Sequence, residues 1–301
     1  MRCWYDGSQM PKRTFRFLQY SIHAHLDSGN PDYAALFHAL TVLKGKNRKN
    51  GKRITAIGTA MLTRGSTDHD RLSLIVYTGD DDQNILLFDL DQQVEFNAAT
   101  EAGRFVARKT HVLIDPIQRM LVIESGRGHP SAEELAEFIE DEAHSLEGFN
   151  TLELSFTPVP TRKFAEKITG MQRIQSATVS LARPNPDWGD RYDQLTKYAA
   201  ESNAKVIDAT VRAGRRDSLS KDSGLIPNLV HWLTGALPAV VNAKIKGAFD
   251  AQSPLTELKL SDYVETVSIP VDVSPETKQP PDSVIQKSLN AYLDSRGEDN
   301  G

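Results

Sequence analysis

Hydrophobic and polar residues alternate along this chain with two different periods. Phe15–Ala24, FRFLQYSIHA, sets aromatic and β-branched residues against polar ones, the period-two pattern of a half-buried strand. Asn30-Pro31 supplies a capping side chain and a first-turn proline, which predicts a helix. Leu36, Phe37, Leu40 and Leu43 fall on one face of it, and Gly45 stops it. Strand-like runs follow at Ile54–Thr63, Leu72–Thr78 and Ile85–Asp89, with Asp80-Asp81-Asp82 in a loop and Gly103–Arg108 irregular.

The middle of the chain is patterned most regularly. Thr110–Ile114 and Met120–Glu124 read as strands joined by a turn at Asp115-Pro116, and Gly126 and Gly128 make a loop. Ser131 with Glu134 three residues on is a capping box, opening a helix striped by Leu135, Phe138, Ile139 and Leu146 and ended by Gly148. A strand at Leu152–Phe156, a short helix at Thr161–Thr169 with Phe164 and Ile168 inward, and a strand at Ile174–Ala182 complete a β-β-α-β-α-β order. A helix around Arg191–Ser202 and a strand at Lys205–Arg212, stopped near Gly214, continue it.

From Leu225 the text becomes an apolar helix containing Trp232, a run Val240–Ala248 and a strand at Tyr263–Val271. A polar, proline-rich linker, Ser274–Pro281, leads to a last helix striped by Val284, Ile285, Leu289, Tyr292 and Leu293. That helix packs on a partner chain or on its own domain; the pattern leaves both open. The expected class is α+β, with mixed, mostly antiparallel sheets, helices on one face, and two subdomains. The expected divisions are an N-terminal α+β part (13–108), a central ββαβαβ-type part (109–220) and a C-terminal extension (221–301) whose last helix is a candidate dimerisation element.

Composition narrows the function classes. With 301 residues, 39% hydrophobic and 25% charged, the chain can bury a sizeable core. Its net charge of −5 excludes a general polyanion coat and leaves only a local cationic patch. A single cysteine, Cys3, excludes an internal disulfide and fits a reducing, cytoplasmic setting. No apolar run reaches the roughly 18 residues of a membrane span, and the expectation is no membrane insertion. Met10 is a second candidate start beside Met1.

Catalytic motifs are scarce. A P-loop, a dinucleotide glycine fingerprint, a G-x-S-x-G elbow and H-E-x-x-H are absent from the sequence, and no cofactor or metal is expected. His23 and His25 share one strand face, which suits a core position or a ligand pair. Asp115, Glu124 and Lys109 bracket the central hairpin and raise a metal-dependent nuclease, although Asp115 before Pro116 is also an ordinary turn residue. Ser125 lacks an identifiable histidine–acid pair.

The basic segment Lys44–Arg53 carries more information. Six of its ten residues are cationic: Lys44, Lys46, Arg48, Lys49, Lys52 and Arg53. Lys and Arg are rarely buried unpaired, so a phosphate-rich partner is a natural expectation, with a solvated turn as the alternative. Arg212, Arg215 and Arg216 form a second cluster; Arg104, Arg108 and Lys109 form a third. No aromatics interleave the first cluster, so contacts to a duplex backbone, without sequence preference, are the form expected.

The run HVLIDPIQRMLVIESG, the capped helix, FNTLELSFTPVPTRKF, IQSATVSLARPNP and AAESNA together resemble the RexA-like phage-exclusion proteins and a related bacterial family found near defence genes. The resemblance spans roughly residues 13 to 270 and is clearest at Ile114-Asp115-Pro116, Leu121 to Gly126 and Arg183-Pro184-Asn185-Pro186. It implies an α+β homodimer that binds DNA with little sequence preference and acts in anti-phage defence, sometimes through a membrane-protein effector encoded nearby. It carries over no catalytic residue. The leading expectation is therefore a non-enzymatic DNA-binding sensor. A metal-dependent nuclease or toxin, and a module that senses a phage protein, are the alternatives.

Overall fold

The computed structural model describes residues 12–66, 69–80, 84–89, 94–99, 107–182, 202, 204–215, 217–235, 240–250, 252–273 and 280–299. The fold is α+β, and every strand pairing among these residues is antiparallel. The strands are β1 Lys12–His25, β2 Asn47–Asn50, β3 Arg53–Arg64, β4 Asp70–Asp80, β5 Asn84–Asp89, β6 Val94–Ala99, β7 Arg108–Asp115, β8 Met120–Glu124, β9 Glu153–Pro158, β10 Arg173–Ala182, β11 Val206–Arg212, β12 Val240–Ala248, β13 Thr256–Lys259 and β14 Thr266–Asp272. The helices are α1 Tyr33–Ala39, α2 Ala132–Ala143, α3 Arg162–Gly170, α4 Leu225–Leu233 and α5 Asp282–Asp299. The sequence-predicted helix at Arg191–Ser202 and the loop residues Asp81 and Asp82 lie outside the described residues.

Strands from all along the chain build an eight-stranded sheet in the order β14-β1-β8-β7-β4-β3-β2, with β9 beside β1. It therefore takes strands from each of the three stretches that the sequence pattern separates. Strand β1 is long because it serves three neighbours: β14 along Lys12–Leu18, β9 along Tyr20–His25, and β8 on its other edge. At the fork, Gln19 N–H donates to Glu265 O and Val159 N–H donates to Gln19 O.

Period-two alternation sends Leu72, Leu74 and Val76 of β4, Val112 and Ile114 of β7, and Leu121 and Ile123 of β8 to one face. There they meet Leu36 and Phe37 of α1, Leu40 just after it, and Leu135, Phe138 and Ile139 of α2. The capping box at Ser131 is formed as expected: its hydroxyl accepts from Glu134 N, and the Glu134 carboxylate accepts from Ser131 N. The first helix is capped by Asp32 rather than Asn30, its carboxylate accepting from Ala35 N at 3.1 Å.

Leu113 and Val122 point to the opposite face, together with Phe15 and Phe17. Helix α5 covers them with Ile285, Leu289 and Leu293. The last helix thus packs on its own chain, and it adds a layer on the face away from α1 and α2.

A second sheet, β11-β10-β12-β13, has its own core of Ala177, Val179, Ala243 and Ile245, under Phe164 and Ile168 of α3 and Ile226 and Leu229 of α4. Strands β5 and β6 pair with one another.

Candidate nucleic-acid interface

The basic segment folds as a hairpin, not as an irregular turn. Asn47–Asn50 pairs with Arg53–Ala56, leaving a two-residue turn at Gly51-Lys52. Gly51 has φ 60° and Lys52 does not have positive φ, the type II′ geometry that places glycine first. The chain's most acidic helix lies beside this hairpin. Arg48 pairs with Glu137 and Asp141 at 3.4 and 3.1 Å, Lys46 with Glu142 at 3.6 Å and Arg53 with Glu134 at 2.8 Å. Arg53 also donates to His129 O at 3.0 Å. Lys46, Arg48 and Arg53, cations that pointed to phosphate, are thus balanced by the solvent-facing acids of α2. Lys44, Lys49 and Lys52 are exposed. Partly exposed pairs of this kind contribute little stability each, but they cancel much of the hairpin's field.

The second cluster has a more open setting. Arg212 ends edge strand β11 and is exposed, and Arg215 follows it, exposed, in the next turn; Arg216 lies outside the described residues. Residues directly opposite in an antiparallel pair share a face. Arg212 is opposite Ser176, which is opposite Lys246, which is opposite Glu257. The next row reads Thr210, Thr178, Lys244 and Lys259 across the same four strands. Asp208, Ser180 and Asn242 make a third.

This face is the reverse of the one that α3 and α4 cover, and its residues are exposed or half-buried. It carries Arg212, Lys244, Lys246 and Lys259 against Asp208 and Glu257, with a column of hydroxyls between the cations. Lys244 stands directly across from Lys259, a like-charge juxtaposition that destabilises a sheet. Lys259 is partly offset by Glu257 at 3.3 Å. Lys244 and Lys246 lie on the same face, roughly 7 Å apart at strand rise.

Composition arithmetic missed Lys244, Lys246 and Lys259 because they are dispersed over two strands. The available signal was the alternation N-A-K-I-K, lysine on the polar phase of a strand that also carries Ile245 inward.

The third cluster is described only in part. Arg104 lies outside the described residues, Arg108 is exposed, and Lys109 pairs with Asp282.

The acidic and histidine candidates are held by contacts within the fold. Asp115 is fully buried and accepts from Arg71 Nε at 2.7 Å, His69 Nε2 at 3.0 Å, Ile117 N at 3.0 Å and Gln118 N at 2.8 Å. Glu124 meets His111 Nδ1 at 2.8 Å, and His111 Nε2 meets Asp282 at 3.0 Å. His129 lies 3.8 Å from Glu124 and 2.8 Å from the Thr110 hydroxyl. Burial holds its ring below the ordinary histidine pKa despite that carboxylate.

Asp115 pairs with Met120, four residues before Glu124 on β8. The two carboxylates therefore sit roughly 14 Å apart along the sheet, too far to share a metal ion. His23 bonds the Thr157 hydroxyl at 2.9 Å, and Ser125 donates to Arg16 O at 3.2 Å. Among the described residues, no group of three or more His, Cys, Asp or Glu side chains could hold a metal ion.

Fold and surface together define an α+β protein of antiparallel sheets with one cationic, hydroxyl-lined sheet face. The chain belongs to the family described as a domain of unknown function, DUF4747, whose model matches residues 13–231. That match runs from β1 into α4 and ends before β12, β13, β14 and α5. No curated protein matches the chain. Among the described residues, no helix is long and apolar enough to cross a membrane.

Proposed function

We propose that this protein binds DNA through its phosphates, without reading sequence, on the open face of the β11-β10-β12-β13 sheet. The observation that carries this reading is the convergence of Arg212, Lys244, Lys246 and Lys259 on one solvent-facing sheet surface of a net acidic chain, two of them directly opposed. Bringing like charges together is unfavourable unless an anion completes the arrangement. The interleaved Ser176, Thr178 and Thr210 add neutral donors for phosphate oxygens. The face lacks aromatic side chains among its described residues, so bases have no stacking platform and backbone contact is the available mode. The exposed hairpin lysines Lys44, Lys49 and Lys52 are a secondary contact.

The resemblance to phage-exclusion proteins supports placing this binding in anti-phage defence, as a non-enzymatic sensor acting as a homodimer and signalling to a membrane effector. Two copies of a small patch gain by effective concentration what one lacks in affinity.

A mobility-shift assay on a random-sequence duplex at low salt tests the site. Arg212→Glu/Lys244→Glu/Lys246→Glu should abolish the shift, and Lys49→Glu/Lys52→Glu should only weaken it. Full affinity in the sheet variant would overturn the assignment.

A further inference from the structure

Helix α5 sits on an unusual floor. Four buried ionisable side chains, Arg71, His111, Asp115 and Glu124, lie on the sheet face beneath it, on the same strand phase as Leu113 and Val122. Ion pairs within the sheet already give each of them a counter-charge. Arg71 of β4 reaches Asp115 of β7 at 2.7 Å, and His111 of β7 reaches Glu124 of β8 at 2.8 Å. The helix adds second partners at both ends. At its start, Asp282 bonds Lys109 and His111. About two turns on, Asn290 accepts from Arg71 Nη1 at 3.1 Å, and one turn further Asp294 meets the same nitrogen at 2.7 Å. Asp294 also accepts from Ser66 N at 2.7 Å. The two aspartates are roughly 18 Å apart along the helix axis. Between them Ile285, Leu289 and Leu293 are buried on the apolar floor, and Asn290 is buried against Arg71.

The consequence is thermodynamic. Breaking a buried ion pair is costly because it strands a charge without a partner. Lifting α5 strands none: Arg71 keeps Asp115, His111 keeps Glu124, and Asp282 and Asp294 pass into water. Both helix carboxylates titrate below the ordinary aspartate value. Burial alone would raise them, but bonds from Lys109 and His111 to Asp282, and from Ser66 and Arg71 to Asp294, outweigh it. The opposite face is held more strongly, because α1 and α2 meet the sheet through the larger apolar cluster, whereas α5 covers the smaller one around Phe15, Phe17, Leu113 and Val122.

We infer that α5 is a displaceable acidic strap, latched by ion pairs near both ends, that opens as a unit while the sheet stays folded and uncovers Lys109 beside the paired Arg71–Asp115 and His111–Glu124. This inference does not rest on the DNA-binding reading, since it concerns the eight-stranded sheet and is read without nucleic acid.

Hydrogen exchange of the full chain, followed by mass spectrometry, tests it. In the wild-type protein, peptides covering Val284–Tyr292 should exchange at least about tenfold faster than those covering Val112–Ile114, as expected of a sub-global opening. Asp282→Asn/Asp294→Asn removes both charged latches and should speed α5 by a further tenfold or so, with β7 and β8 unchanged. Equal exchange of α5 and β7 in the wild-type protein overturns the proposal even if the variant does not fold. So does acceleration of both by the same factor in the variant.

Discussion

Asp115→Asn isolates the energetic centre of the large sheet. The carboxylate is fully buried and receives four donors, of which Arg71 Nε and His69 Nε2 carry or can carry charge. Asparagine keeps one oxygen for Ile117 N and Gln118 N, so the turn geometry survives. What is lost is the sheet-internal counter-charge of Arg71, a guanidinium that is itself fully buried. Removing one partner of a buried pair costs about 3–5 kcal/mol. Asp294 still meets Arg71 Nη1 at 2.7 Å, which places the expected loss near the lower end, about 3 kcal/mol. Urea unfolding followed by far-ultraviolet circular dichroism measures it. A second substitution, Arg71→Met, removes the stranded charge, and the double variant should recover a large part of the loss, with a coupling of about 1–3 kcal/mol. A loss below about 1 kcal/mol in Asp115→Asn, the range of exposed pairs, would refute the reasoning.

Other expectations follow from single contacts. Ser131→Ala should lower stability by about 1 kcal/mol, because both arms of the capping box are formed. Gly247→Ala should destabilise by about 1–3 kcal/mol, since a Cβ there would come within 2.5 Å of Arg173 O, a backbone atom; thermal unfolding reads both variants. Asp282 and Asp294 titrate below the ordinary carboxylate value when folded. The unfolded chain therefore takes up their protons first as pH falls. Their contribution is complete at neutral pH and drains away below about pH 4. Exchange of α5 amides should rise in that window, and Asp282→Asn/Asp294→Asn should flatten the rise.

Local physics made much of the fold readable. The Ser131–Glu134 box, the alternation of β7 and β8, and the stripe at Ile285, Leu289 and Leu293 each depend on neighbours within a few residues, and each forms. Non-local pairing hid the rest. Nothing near Lys46, Arg48 and Arg53 in sequence reveals that Glu134, Glu137, Asp141 and Glu142 lie beside them, so the segment read as unbalanced charge in search of phosphate. The same segment also concealed a strand, because KNRKN has no apolar phase for the pattern to register. Asn30-Pro31 competed with Asp32 as a cap, and Asp32 reaches Ala35 N. The open face could not be assembled from sequence, since its cations come from β11, β12 and β13 and meet only through the register of β10 and β12.

The most direct test of the central claim is the salt dependence of DNA binding by the full chain. If Arg212, Lys244, Lys246 and Lys259 each neutralise a phosphate, the logarithm of the binding constant should fall with the logarithm of salt concentration at a slope of roughly −3 to −4. Duplexes of unrelated sequence should give the same slope, and Arg212→Glu/Lys244→Glu/Lys246→Glu should remove binding. Absence of binding at the lowest salt, or an unchanged slope in that variant, would contradict the account.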